Sequence, residues 1–202
     1  MSVGADGYLV VVAIGCSWGG LDAVEAVLDR LPSDLQATVI VVQHRAHAPS
    51  DLASLLGGHT PWAVCEAEDK EKLDRQRVYL APPGYHLLVD GGCFALSTEG
   101  PVQHSRPSID VFFESVAEAF GAQVIGVVLT GANDDGAAGL ADIARRGGAA
   151  VVQNPATALR PAMPAAALRA VPGAEVVDLV DIAAVVCRLV DERVGGPRES
   201  SR

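Results

Sequence analysis

The chain has 202 residues, half of them apolar and 20% charged, with a formal net charge of -10. That length suits one domain of ordinary size, and the apolar content excludes a disordered chain. The acidic balance, with no basic stripe to offset it, argues against nucleic-acid binding and against adsorption to acidic membranes.

Aromatic residues make up only 4% while Val, Ala and Leu dominate, a mix that suits buried parallel strands covered by helices. The four cysteines, Cys16, Cys65, Cys93 and Cys187, lie far apart and form no C-x-x-C pair. They read as small core residues in a reducing compartment, with no metal site and no disulfide framework expected. No Lys or Arg precedes the apolar run Leu9–Ile14, so the basic region of a secretory signal is missing and none is expected, and no stretch approaches a membrane span. A cytoplasmic protein without membrane insertion is expected.

Tyr8–Ile14 is a continuous apolar run and predicts a buried strand, followed at once by G15-C-S-W-G19. Leu21, Val24, Val27, Leu28 and Leu31 then recur at helical spacing up to Pro32. Thr38–Gln43 is a β-branched run typical of a fully buried strand, and a short helix over Pro49–Leu56 ends at Gly57-Gly58. Four short strands follow, Ala63–Glu66, Val78–Ala81, His86–Val89 and Cys93–Ser97, with turns at Pro82-Pro83-Gly84 and Asp90-Gly91-Gly92. They predict a small antiparallel addition to the main sheet. Regular alternation then resumes: helix Ser108–Phe120, strand Val124–Thr130, helix Gly136–Arg146 and strand Ala149–Gln153. A helix near Pro164–Ala170, a short strand Glu175–Asp178 and a closing helix Asp181–Val194 complete the series. The predicted fold is α/β, a doubly wound and mainly parallel Rossmann-like sheet with helices on both faces. Residues 1–194 form the expected domain, and the Gly-, Ser- and charge-rich stretch 195–202 is expected to be a disordered tail.

A Gly-x-Ser-x-Gly between strand and helix is the layout of a nucleophile elbow, which lifts a hydroxyl beside helix N-terminal amides. It meets neither nucleotide fingerprint, having no G-x-G-x-x-G and no Walker lysine. In an open α/β sheet, sites form beyond the carboxyl ends of strands. Ser17, His44 and the pair Asp134-Asp135 each follow a different predicted strand, and so meet on one rim. Serine, imidazole and carboxylate are the residue types of a hydrolytic triad: the imidazole takes the hydroxyl proton, and the acid fixes its tautomer and stabilises its charge. Either aspartate could orient His44 while the other caps the helix at Gly136. His59, His86 and His104 have no strand-end placement beside a serine and read as surface or packing residues.

The chain resembles the catalytic domain of chemotaxis receptor methylesterases, the CheB type. The resemblance rests on A-I-G-C-S-W-G-G (13–20), V-V-Q-H (41–44), V-Y-L-A-P-P-G-Y-H (78–86), R-P-S-I-D-V-F-F-E-S-V-A (106–117) and V-V-L-T-G-A-N-D-D-G-A-A-G-L (127–140), with a weaker block at 153–168. It implies Ser17 as nucleophile, His44 as general base and Asp135, which directly precedes Gly-Ala, as the histidine's partner. It implies hydrolysis of γ-glutamyl methyl esters on receptor helices to glutamate and methanol, a related deamidation of receptor glutamine, and no metal or organic cofactor. Backbone amides of Trp18 and of the Gly131–Asn133 loop, Ala132 among them, are the implied oxyanion donors, and Arg106 is the expected substrate-side contact.

The chain departs from the family pattern at Cys16, Trp18, Ala132, Asn133 and Asp134; the added Asp134 charge is expected to raise neighbouring pKa values. Because the chain starts almost at the first catalytic strand, no receiver domain is expected, and the expectation is either an unregulated enzyme or one restrained by a signalling partner in its place. Two other readings go with these departures: a signalling or scaffold module with weakened catalysis, and a small-molecule esterase on the same fold.

Overall fold

The computed structural model describes residues 9–44 and 51–195. Seven strands form one parallel sheet in the order β3-β4-β2-β1-β7-β8-β9, and two more form a separate antiparallel pair, β5-β6. The central strands are β1 (Val10–Cys16), β2 (Ala37–Gln43) and β7 (Val124–Val128). Outside them lie β3 (Ala63–Glu66) and β4 (Arg77–Leu80) on one side, β8 (Ala149–Gln153) and β9 (Glu175–Val177) on the other. The helices are α1 (Gly20–Leu28), α2 (Leu52–Gly57), α3 (Ile109–Phe120), α4 (Ala137–Arg145), α5 (Ala162–Ala170) and α6 (Ile182–Val194).

Alternation within the buried strands sorts the core into two layers, because successive side chains point to opposite faces. Val10, Val12, Ile14 and Cys16 of β1 join Val39 and Val41 of β2 beneath α1 and α6. Val11 and Ala13, with Ile40 and Val42, face Ile109, Phe112, Phe113 and Leu140 of α3 and α4. Both faces of the central strands are therefore dry, which is why their sequences read as unbroken apolar runs.

The middle of the chain differs from its prediction. Ala63–Glu66 and Arg77–Leu80 do not join an antiparallel addition: β3 pairs parallel to β4, and β4 parallel to β2. Only β5 (His86–Asp90) and β6 (Cys93–Ser97) are antiparallel, and they stand apart from the main sheet. Val78, Tyr79 and Leu80 are buried, Val78 and Leu80 in one layer and Tyr79 in the other, an environment that only an inner strand of a covered sheet provides. The expected helix over Pro49–Leu56 begins at Leu52 under an Asp51 cap; Pro49 and Ser50 fall outside the described residues, as does most of the predicted tail. Among the described residues no helix is long and apolar enough to cross a membrane.

Helices α3 and α4 approach each other very closely. A Cβ built on Gly139 of α4 would lie 2.5 Å from Phe113 Cβ and 2.9 Å from the Asp110 carbonyl oxygen. Gly57 of α2, by contrast, has nothing within 4 Å of such a Cβ. Gly139→Ala is expected to destabilise the fold by about 1–3 kcal/mol through overpacking. Gly57→Ala is expected to be neutral or to gain up to about 1 kcal/mol. Urea unfolding of the two variants checks the contrast; equal effects would show that α3 and α4 have room to separate.

Candidate active site

Strands β2, β1 and β7 lie side by side, with Cys16 opposite Gln43 and Gly15 opposite Val128. The residues that follow these strands therefore emerge together on one rim. The ladder even continues beyond them: His44 N–H donates to the Cys16 carbonyl at 3.1 Å, Leu129 N–H to Gly15 at 2.9 Å, and Ser17 N–H to Thr130 at 3.0 Å. Ser17 and His44 are thus fixed on adjacent strands by backbone bonds, and the loop carrying Asp135 is fixed beside them.

The turn after β1 is made by Gly19, whose φ of 76° is the left-handed conformation glycine adopts without steric cost. Ser17 itself does not have a positive φ; the left-handed residue sits two positions past the hydroxyl. Ser17 is half-buried and Trp18 is 63% exposed. The Ser17 and Gly131 amides are both occupied, the latter by the Arg160 carbonyl at 3.0 Å. The amides of Trp18 and Ala132 make no hydrogen bond among the described residues, and both residues line one open depression of about 530 Å³. Cys16, next to Ser17, is fully buried, and burial pushes its thiol up to about 12. It is unreactive at neutral pH.

Asp135 is fully buried and makes four hydrogen bonds. Its Oδ2 accepts from His44 Nε2 at 2.7 Å and from Ile109 N–H at 2.8 Å. Its Oδ1 accepts from Ser108 Oγ and Asp110 N–H, both at 2.9 Å. The carboxylate therefore sits on the first amides of α3, where the helix dipole favours negative charge. Burial alone would raise its pKa, but the His44 hydrogen bond and charge and the Asp110 and Ile109 amides outweigh that and hold it below the usual aspartate value. An ionised Asp135 can only accept, so His44 carries its proton on Nε2 and leaves Nδ1 as the basic nitrogen.

Asp110, in the first turn of α3, reciprocates. Its Oδ1 accepts from Gly136 and Gly139 N–H at 2.8 Å each, at the start of α4. Burial pushes its pKa up, and the neighbouring Asp135 charge adds to that, against the α4 amides. Neither acid of the Asp134-Asp135 pair caps α4, whose N-cap is Gly136. The exposed Asp134 does not raise Asp135, whose pKa is lowered; solvent screens a charge that points outward.

Ser17 and His44 are not hydrogen-bonded to each other. Ser105 Oγ stands 3.4 Å from His44 Nδ1, on a tight turn closed by two bonds between Val102 and Ser105, with Gln103 and His104 at positive φ. Gln103 Nε2 ties that turn to Asp110 Oδ2 at 2.9 Å. Arg106 is tied to the neighbouring loop: its Nη1 donates to the Thr98 and Glu99 carbonyls at 3.0 and 2.9 Å. Asn133 Oδ1 is buried without a partner. His86 is buried, accepting Ser108 N–H on Nδ1 and reaching the Gly100 carbonyl with Nε2, so it packs the loop that carries Ser105. His59 lies 3.8 Å from Glu25 on the surface. The sequence offered no signal for Ser105, Ser108 or Asp110, whose site partners His44, Asp135 and Gly136 are distant in the chain.

Comparison with known proteins bears on the family and the fold. The family described as CheB methylesterase matches residues 12–186. The chain belongs to the CheB methylesterase family. A relative from Leptospira interrogans, named for protein-glutamate methylesterase and protein-glutamine glutaminase activities, is 41% identical over 180 residues, covering 88% of this chain and 93% of its own. The protein-glutamate methylesterase/protein-glutamine glutaminase of Symbiobacterium thermophilum is 38% identical over 184 residues, 90% of this chain but 51% of its own, so this chain spans about half of that relative's length. The crystal structure of the Thermotoga maritima CheB methylesterase catalytic domain superposes with a TM-score of 0.83 at 28% identity, covering 90% of this chain and 98% of that one.

A depressed carboxylate stabilises the fold above its unfolded pKa, near 3.8, and loses that contribution as pH falls through its lower folded value. At pH 7, Asp135→Asn is expected to cost about 2–3 kcal/mol, since it leaves buried donors facing an amide. The gap between native protein and variant is expected to close as pH falls below about 3.8. Urea titrations of both proteins from pH 7 to pH 3 measure this; a gap constant across that range would contradict an ionised Asp135.

Proposed function

We propose that the chain is a serine esterase that hydrolyses γ-glutamyl methyl esters on the cytoplasmic helices of chemotaxis-type receptors, releasing methanol and leaving glutamate. Ser17 is the nucleophile, His44 the general base and Asp135 its positioning partner. The observation that carries this reading is the Asp135–His44 pair, held at 2.7 Å on the rim beside Ser17 with the Nδ1 face of the ring turned away from the acid. Support comes also from the names of the relatives in the family.

The chemistry follows from which groups are free. Ser17 Oγ attacks the ester carbonyl while His44 Nδ1 takes its proton. The resulting imidazolium is stabilised through Nε2–H by the Asp135 carboxylate. The tetrahedral oxyanion is met by the unoccupied amides of Trp18 and Ala132, and losing one such donor typically costs about 10²–10³ in kcat. His44 returns its proton to the departing methoxide, giving methanol, and water repeats the sequence on the acyl-serine to release the glutamyl carboxylate. A glutamine side chain passes through the same steps with ammonia leaving. In the resting enzyme the Ser105 hydroxyl occupies Nδ1 and gives way to Ser17 when an ester docks. Arg106, tied to two carbonyls, serves this site by holding the loop that presents Ser105.

A second arrangement, with Ser105 as the attacking hydroxyl, has its 3.4 Å contact to Nδ1 in its favour. It lacks the strand-to-helix turn and free amides that surround Ser17. Labelling with a fluorophosphonate and locating the adduct by peptide mass separates the two. The expected result is one adduct on Ser17, lost in Ser17→Ala and His44→Ala and retained in Ser105→Ala. Methanol release from methylated receptor is expected to fall by at least about 10⁴ in Ser17→Ala and by less than tenfold in Ser105→Ala. An adduct on Ser105 would reassign the nucleophile, and no adduct with no methanol would leave the family fold as a binding module.

A further inference from the structure

Arg160 is an unusual feature of a chain whose formal charge is -10. It is exposed, and among the described residues no carboxylate pairs with it. Exposed arginines are commonly mobile, but the backbone of this one is pinned on both sides and its side chain lies over an aromatic ring. Its backbone N–H donates to Thr130 Oγ1 at 2.8 Å, and its backbone carbonyl accepts Gly131 N–H at 3.0 Å. Its guanidinium carbon stands 5.3 Å from the centroid of the Trp18 ring. The same buried Thr130 hydroxyl donates to the Trp18 carbonyl at 3.0 Å. One side chain thus fixes both the aromatic residue next to Ser17 and the arginine above it.

The surroundings fit an anionic ligand. Trp18, Ala132, Arg160, Pro161, Ala162 and Ala165 line the depression beside the candidate nucleophile, and Arg160 is the one charged residue among these six. The indole face attracts the guanidinium cation without using its N–H donors, which remain at the edge of the guanidinium plane. That edge matches a carboxylate by paired hydrogen bonds, which a lysine could not reproduce. The apolar floor accommodates the aliphatic stem that carries such a carboxylate.

We infer that Arg160, lying over the Trp18 ring, forms a carboxylate subsite that engages an acidic side chain of the substrate helix about one turn from the ester being hydrolysed. This rests on the esterase reading above. Residues three or four apart share a helix face with Cβ atoms about 5–6 Å apart, so an ester over Ser17 and an acid over Trp18 and Arg160 can belong to one helix. The subsite offsets the repulsion between an acidic enzyme and an acidic substrate. It also makes each glutamate produced a recognition element for a neighbouring ester on the same face.

The test uses two helical peptides, each with one γ-glutamyl methyl ester and either Glu or Gln at the positions four residues before and after it. Methanol release at low ionic strength gives kcat/KM for native protein, Arg160→Gln and Arg160→Lys. Native protein is expected to favour the Glu peptide by about tenfold, the size of one charge-assisted pair. That ratio is expected to fall to about one in Arg160→Gln, to be only partly kept in Arg160→Lys, and to shrink as salt is raised. No preference in the native protein, or a preference that survives Arg160→Gln, overturns the subsite. Should native protein hydrolyse neither peptide, the esterase reading fails, and titration of tryptophan fluorescence with the unesterified peptides then decides the subsite. Binding of the Glu peptide about tenfold tighter than the Gln peptide, lost in Arg160→Gln, upholds it; equal affinities overturn it.

Discussion

Helices α3 and α4 each begin under a carboxylate contributed from the other's starting segment, and the geometry of the site depends on that exchange. Asp135, just ahead of α4, accepts the Ile109 and Asp110 amides of α3, while Asp110 accepts the Gly136 and Gly139 amides of α4. Each pair satisfies donors that a helix leaves unbonded at its start, in a field that favours negative charge. The two acids nonetheless differ: Asp135 is held ionised by His44 and the α3 amides, whereas burial and the Asp135 charge push Asp110 upward. One carboxylate is therefore at once a helix cap, a bridge between two helices and the acceptor that fixes His44. The close helix approach at Gly139 is what brings these groups within hydrogen-bond reach.

The sheet supplies the other half of the arrangement. Parallel strands in fixed register deliver Ser17 and His44 to the same edge by backbone bonds alone, so their relative position does not depend on long flexible side chains. Thr130 extends the same logic toward the substrate side, tying the Trp18 and Arg160 segments through one hydroxyl. Rigid elements thus position the proposed base, the proposed oxyanion amides and the candidate carboxylate subsite, while Ser17 and Ser105, which exchange places in the proposed mechanism, carry a single rotatable hydroxyl each.

Much of this was legible in the residues. The apolar and β-branched runs Tyr8–Ile14, Thr38–Gln43 and Val124–Thr130 marked inner strands, and Ser17, His44 and the Asp134-Asp135 pair that follow them marked the rim. Periodicity failed for Ala63–Glu66 and Arg77–Leu80, because four-residue strands carry too little pattern to reveal which partner they pair with or in which direction. Local reasoning could not choose between Asp134 and Asp135, since both precede the same helix; the choice is made by α3, whose amides and Ser108 hydroxyl reach only Asp135. Ser105, Asp110 and Thr130 were silent for the same reason: their partners are brought to them only by the fold.

The transfer line from Ser17 through His44 to Asp135 requires one tautomer of His44, and ¹⁵N NMR of the imidazole reads it directly. With His44→Gln used to assign the signals, native protein at neutral pH is expected to show a proton-bearing Nε2 and a bare, basic Nδ1. A proton on Nδ1 with a bare Nε2 would mean that Asp135 does not accept from the ring, and the proposed base would have no lone pair to offer Ser17.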